Sequence, residues 1–506
     1  MNHANIRAVN IRAVNMLRMR YWLLLLLLSA TVPAHAHVGS KDIFQQVQAG
    51  PYKLYVTVRP PDVIPGVAVV EVRASGVAPD DLRITPVPMT GEASKHPPTA
   101  DALKRSPSDA NFFTGSVWLM APGSWKVAIA ANGAPGTGAA SVPVPAVALA
   151  MLRMDRSMGI LLGVLGVVLV GGIAAIVAAA ARESRLSPGV APAEMQNRRA
   201  WIAGGATLAL VLVAVWLGGK WWNVEAADYA DDLYRPLALT PTLTNGTLDL
   251  RIGEDLTEAV RRRRSNADLL PDHGHLMHLY AIREPGMDAV FHLHPSLAGA
   301  GDLTMALPAM PAGHYRLFGD IVHKTGLPET LTATLDVPQG FSGGALATED
   351  ATAAPAPIRA GSLGPAFHLP DGYTMTWDKP ATLKAGEAST FRFHLLDATG
   401  KPATDTVPYL GMAGHAAFVR ADFSTFAHTH PEGSAPMQSM EVANGGSDLA
   451  AHASIAEMPG MVMAEAHVDP TVEYPYGFPK PGRYRIFVQM KHGSTVETGV
   501  FDADVL

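Results

Sequence analysis

The sequence contains no cysteine, which excludes disulfides, thiolate metal sites, iron–sulfur clusters and cysteine nucleophiles. Charge is scarce too. Charged residues make up 17% of the 506 positions, and 39 Lys+Arg against 45 Asp+Glu leave a net charge of −6. So small an imbalance offers no basic surface for nucleic acid, and no nucleic-acid partner is expected. Disorder is excluded as well, since 48% of residues are hydrophobic. At roughly 150 residues per domain the length predicts about three folded units. With thiolates absent, the 19 His and 21 Met supply the nitrogen and sulfur ligands for any transition metal.

The apolar excess sits in three dense runs. Leu23 to Leu28 follows Arg7, Arg12, Arg18 and Arg20 and precedes Ala34-His35-Ala36. A basic segment, a short apolar core and a small-x-small site predict a signal peptide over 1–36. The duplicated Ile-Arg-Ala-Val-Asn before Met16 leaves Met1 and Met16 as rival starts. Residues 158–181 and 200–219 carry no charge, and each run is long enough to cross about 30 Å of hydrocarbon as a helix. Arg182, Arg185, Arg198 and Arg199 in the 182–199 connection place that loop in the cytoplasm by the positive-inside rule. Trp216, Trp221 and Trp222 suit the opposite interface. A hairpin in the bacterial inner membrane is expected, anchored in the lipid bilayer, with both flanking regions periplasmic.

Those regions read as β-structure. Residues 53–58 and 67–73 are β-rich and separated by Pro60-Pro61 and Pro65-Gly66, and Pro122-Gly123 divides Trp118–Met120 from Trp125–Ala130. Short strands with Pro/Gly turns predict an immunoglobulin-like β-sandwich over 37–150. After the helices the chain repeats itself. His278-Leu-Tyr-Ala-Ile-Arg283, ending in His292-Leu-His294-Pro295, matches His415-Ala-Ala-Phe-Val-Arg420, ending in His428-Thr-His430-Pro431. Gly313-His-Tyr315 leads to His323 as Gly482-Arg-Tyr484 leads to His492. Two duplicated sandwiches are predicted, 223–341 and 361–506, joined by an Ala/Pro-rich linker over 342–360. The fold class expected is therefore mostly β: three sandwiches and a two-helix transmembrane hairpin.

Four histidines recur in register, His278, His292, His294, His323 and His415, His428, His430, His492. Residues two apart in a strand share a face, so each HxH pair points one way. A hairpin between the first histidine and the pair sets opposite Cβ atoms about 4.5–5.5 Å apart, near enough for one ion to bridge imidazoles. His323 and His492 end strands on the core-facing parity of Tyr315 and Tyr484, which predicts a His-lined pocket at each sandwich end. Imidazole suits copper or zinc, with copper favoured by intrinsic affinity. Met412, Met437, Met440, Met458, Met461 and Met463 lie near the second set; thioethers suit Cu(I), and core filling is the alternative. Asp272-His273-Gly274-His275 either extends the first site or caps a strand entry. Arg261 to Arg264 reads as a solvated loop. His37, the first residue after the predicted cleavage, combines an amine and an imidazole in one potential chelate, with His96 as the domain's other imidazole.

The segments Pro271–His278, His292-x-His294-Pro295, Gly411–His415 and His428-x-His430-Pro431 resemble a bacterial family of exported HxHP-repeat proteins. The opening His37-Val-Gly-Ser-Lys-Asp, Ala49-Gly-Pro-Tyr and Arg59-Pro-Pro is similar to YtkA/FixH-like immunoglobulin-fold domains, and Ala-His-Ala-His37 resembles the start of CopC-like copper proteins. These resemblances imply periplasmic sandwiches associated with copper handling, with a copper transporter or another periplasmic metal protein as partner. The expected function is metal tolerance or delivery by a membrane-anchored copper-binding protein. A His-ligated metal enzyme, or a tethered scaffold or sensor with structural histidines, remains the alternative.

Overall fold

Strand-forming runs and Pro/Gly turns dominate the soluble chain, and the computed structural model is mostly β. It describes residues 41–152, 154–187, 189–253, 264–445 and 467–506. The predicted signal peptide, His37 and Met458, Met461 and Met463 lie outside them. Residues 38–506 cluster as one body.

The first sandwich pairs Ile43–Ala49, Tyr52–Arg59, Gly66–Ser75 and Phe112–Leu119 in one sheet, against Asp81–Pro88, Gly123–Gly133 and Gly136–Ala146 in the other. Alternation buries Leu54, Val56, Val70, Val72, Ile84, Val127 and Ile129 between them. His96 lies apart on an exposed 3-10 turn, beside Glu92.

Two helices, α1 (Arg156–Glu183) and α2 (Glu194–Asp231), are long and apolar enough to cross a membrane. At 1.5 Å per residue, α1 alone spans about 42 Å. They pack on each other through small residues, with Gly204 against Ala178. Helix α2 continues beyond the apolar run, through Lys220, Glu225 and Asp228, into the region read as the first repeat. The first strand of that repeat begins at Leu239. The ends of the hairpin on the soluble side are tied together: Tyr234 N–H donates to Ala148 O, and Leu149 and Ala150 both donate to Asp62 O.

Each repeat is a sandwich of a four-stranded sheet and a larger sheet that carries the histidines. In the first repeat the larger sheet contains β1 (His278–Arg283), β2 (Val290–Leu293), β3 (Gly313–His323) and β4 (Pro328–Val337). In the second it contains β5 (His415–Arg420), β6 (Phe426–Thr429), β7 (Gly482–His492) and β8 (Thr495–Val505). Strand β1 is apolar on both faces, the mark of a strand covered on both sides. Leu279 and Ala281 point into the sandwich core, with Leu293, Tyr315 and Leu317. Tyr280, Ile282, Val290 and Phe318 point outward and meet Ala417, Val419, Phe426, Phe487 and Val500 of the second repeat. Phe318 stacks on Phe426 with ring centroids 4.3 Å apart. The two large sheets are thus packed face to face, and their outward faces form a fourth apolar core. Arg485 is wholly buried there: it pairs with Asp502 and donates to Met287 O and Ala356 O across the junction.

Within the linker, Ala351–Ala353 adds an edge strand to β2. The reading of Arg261 to Arg264 as a solvated loop is corrected at Arg264, whose guanidinium is buried against Glu329.

Candidate metal centre

Strand register brings the histidines together. Leu279 pairs with Leu293 across β1 and β2, so His278 stands opposite His294; Ala416 pairs with Thr429, so His415 stands opposite His430. Across the other edge His278 faces Asp320 and His415 faces Gln489. Gly414 lets β5 come close, because a Cβ there would sit 2.4 Å from Gln489 O.

In the first trio, His278 Nδ1 lies 3.1 Å from His292 Nε2 and 3.2 Å from His294 Nε2. Each ring's other nitrogen donates to a fixed acceptor: His278 Nε2 to Asp272 O at 3.1 Å, His292 Nδ1 to Gln489 Oε1 at 2.8 Å, and His294 Nδ1 to Asp350 Oδ1 at 3.0 Å. These acceptors take the single N–H of each neutral ring, so the three facing nitrogens present bare lone pairs. No proton remains to join them. Lone pairs converging in a buried space call for a cation, and two nitrogens about 2.0–2.1 Å from one tetrahedral ion stand about 3.3 Å apart. Carboxylate and carbonyl acceptors behind ligating imidazoles are the usual outer support of a metal site.

The second trio is His273, His415 and His430, with ligand atoms within 4.8 Å of one another. Both ring nitrogens of all three are buried without a hydrogen-bond partner; the carbonyls of Leu410 and Ala435 sit beside His273 and His430 without the geometry of a bond. Six orphaned nitrogens in one place are costly, since each unsatisfied buried polar group forfeits about 1–3 kcal/mol. His273 comes from the first repeat and reaches across to the second. It sits at φ 53°, followed by Gly274 at 85°, in a tight turn that Leu410 (51°) and Gly411 (78°) reproduce in the second repeat.

His428 lies between the trios, its ring centroid 5.3 Å from that of His278 and 4.8 Å from that of His430. Its Nδ1 is 3.3 Å from Asp320, and its Nε2 is buried without a partner. The support is therefore reciprocal: Gln489 of the second repeat holds His292 of the first, and Asp320 of the first holds the equivalent His428 of the second. His275 lies tilted beside His294, ring centroids 4.2 Å apart, and meets Glu349 at its outer edge. Burial, then the neighbouring imidazoles, hold His278, His415 and His430 well below the ordinary histidine value, and His292 likewise. Burial also lowers His294, against the opposing pull of Asp350.

His278, His292, His294, His415, His428 and His430 thus meet in one centre rather than in two separate pockets. His323 and His492 do not join it. Because Leu279 pairs with Gly319, His278 and Asp320 lie on the outward face, whereas His323 shares the inward face with Tyr315 and Leu317. His323 instead bridges Asp268 at 2.6 Å and Glu329 at 3.0 Å. Burial pushes its pKa down, but those two bonds outweigh it and leave it raised. His492 lies against Asp371, Asp405 and Glu497, whose own carboxyl is pushed up to about 7 chiefly by burial. The second trio's third ligand, His273, stood in a flanking motif whose reach was not legible. Gln489 and Asp320 carried no signal beyond their place on strands of the repeat, and Asp350, in the linker, carried none.

A family model described as a domain of unknown function (DUF8832) matches residues 238–339 and 368–506, the stretches that form the two repeats. No curated protein matches the chain. Among solved structures, a bacterial ice-binding adhesin aligns at 8% identity over 90% of this chain and 99% of its own, with a TM-score of 0.15. Latent PorU from Porphyromonas gingivalis aligns at 8% over 92% and 34%, with a TM-score of 0.14. The alpha-2-macroglobulin of E. coli aligns at 11% over 92% and 25%, also at 0.14. Overlap that low carries no argument for this chain. What the chain shows by itself is a mostly β protein with two apolar helices and histidine clusters able to hold metal ions, its repeats matched by that domain family.

Proposed function

We propose that this protein is a membrane-anchored, extracytoplasmic metal-binding protein whose two repeats together hold two ions, copper in first place and zinc as the alternative. The observation that carries the reading is the first trio: three imidazole nitrogens face one another while the opposite nitrogen of each ring is committed to an acceptor. Neutral imidazole binds copper more tightly than other divalent first-row ions. Burial favours holding over turnover, since His292 and His415 are 0% exposed. Metal tolerance or delivery fits such a site better than catalysis. The hairpin tethers it at the bilayer, where a copper transporter or another periplasmic metal protein is the partner expected from the family resemblance.

Metal content of the full-length protein in detergent tests this directly. After saturation with copper and desalting, wild type carries about two ions more than a variant with all four of His292, His294, His415 and His430 replaced by Ala, one for each three-imidazole set. The His292→Ala/His294→Ala and His415→Ala/His430→Ala variants each carry about one more than that quadruple variant. Equal metal in all three overturns the proposal.

A further inference from the structure

Comparing the two repeats at the opposite face of the large sheet exposes a difference in charge. In the first repeat His323 is held by Asp268 through Nδ1 and by Glu329 through Nε2, and Arg264 ion-pairs with Glu329. Two carboxylates meet two bases there, and every group is partnered. The second repeat has the same frame. Register makes His492 the counterpart of His323, Asp405 of Asp268 and Glu497 of Glu329. Among the described residues no arginine or lysine ion-pairs with these groups, and a third carboxylate, Asp371, has been added. It stands 2.8 Å from His492 Nε2. Three acids therefore surround one imidazole.

The arrangement is that of a ligand set. Asp405 lies 3.4 Å from His492 Nδ1 and also accepts the Tyr373 hydroxyl at 3.1 Å, while the Tyr373 ring stacks on His492 at 3.9 Å. The ring is thus oriented from behind, with Nε2 turned toward Asp371 and Glu497. That Nε2 is buried and has no hydrogen bond, its short contact with Asp371 being out of line for one. The Glu497 side chain belongs to a residue only 7% exposed, and no described residue pairs with it, yet its carboxylate lies within 4.8 Å of the other two ligand atoms. The orphaned Nε2 of His492 and the Glu497 carboxyl both face Asp371, and a cation held among the three would partner all of them. Asp371, exposed on its turn, gives an ion a way in.

We infer that Asp371, His492 and Glu497 form a further metal site, with Asp405 as the outer support of His492, for a divalent ion that accepts oxygen ligands, such as Mn²⁺. Its chemistry differs from that of the histidine centre, because two carboxylates and one imidazole suit harder ions than imidazole alone. It shares no ligand with that centre, so either can fail without the other.

Manganese alone is the probe, since it is the first-row ion that an all-imidazole centre holds least well. Full-length protein in detergent is titrated while the paramagnetic resonance signal of free Mn²⁺ is followed. Wild type and the His292→Ala/His430→Ala variant take up about one Mn²⁺ per chain. Asp371→Asn, which alters only an exposed turn, and Glu497→Gln weaken uptake by more than about tenfold, since loss of even an outer partner of a ligand costs that much. Unchanged affinity in Asp371→Asn, or no uptake by wild type at millimolar Mn²⁺, overturns the inference.

Discussion

Replacing Gln489 by leucine should weaken a metal site in the other repeat. Gln489 is 1% exposed, and its amide oxygen accepts the Nδ1–H of His292 at 2.8 Å. Its own Nε2 has no partner, so an apolar side chain of similar size gives up nothing on that side. The loss falls on His292, whose buried N–H forfeits an acceptor at about 1–3 kcal/mol, and more weakly on the Tyr280 hydroxyl, which donates to the same oxygen at 3.4 Å. Since about 1.4 kcal/mol is tenfold, that range corresponds to roughly 5- to 150-fold in affinity. The Tyr409 hydroxyl, 3.3 Å from the same nitrogen, remains as a substitute. The expectation therefore sits near the low end, about tenfold, in line with outer-support mutations elsewhere. The measurement belongs in a His415→Ala/His430→Ala background, where the first trio is the surviving site, by competition against a chromophoric chelator. Unchanged copper affinity on adding Gln489→Leu would refute the idea that each repeat orients the other's ligands.

Acid should loosen the centre. Imidazoles held below their usual value bind fewer protons folded than unfolded, so stability falls as pH drops through about 6.5 and below. Thermal melts of metal-free protein at pH values from about 7.5 to 5 should show a steady loss, and copper should be released over the same range. His323 has the opposite sign: its raised pKa adds stability that is fully present below about 6.5 and lost as pH climbs through the raised value. Arg485→Met leaves Asp502 buried and unpaired, which should cost about 3–5 kcal/mol in denaturant unfolding; a change below about 1 kcal/mol would contradict the burial described. Phe426→Ala removes the ring stacked on Phe318 and should destabilise by about 3–5 kcal/mol, chiefly at the junction between repeats.

The duplication was legible because the same strands were written twice, and the helices because an uncharged run of that length has few other uses. The faces were not. Alternation separates Tyr280 and Ile282 from Leu279 and Ala281, but both sets are apolar, so nothing in the strand says which one meets the sandwich core. The inward parity of Tyr315 and Leu317 was read correctly. The register of β1 against β3, invisible in sequence, then put His278 on the face opposite His323, and the expected quartets came apart. The crossing of His273 depends on a left-handed turn at a non-glycine residue and on the approach of a second domain. Asp350 was hidden in a stretch whose alanines and prolines read as spacer.

The reciprocal hold of Gln489 on His292 and of Asp320 on His428 bears on how such a chain arises. One repeat alone would still carry three facing imidazoles, but His292 would lack the acceptor that fixes its ring. Joining both copies in one polypeptide makes their encounter intramolecular, so the orienting groups are supplied at high effective concentration.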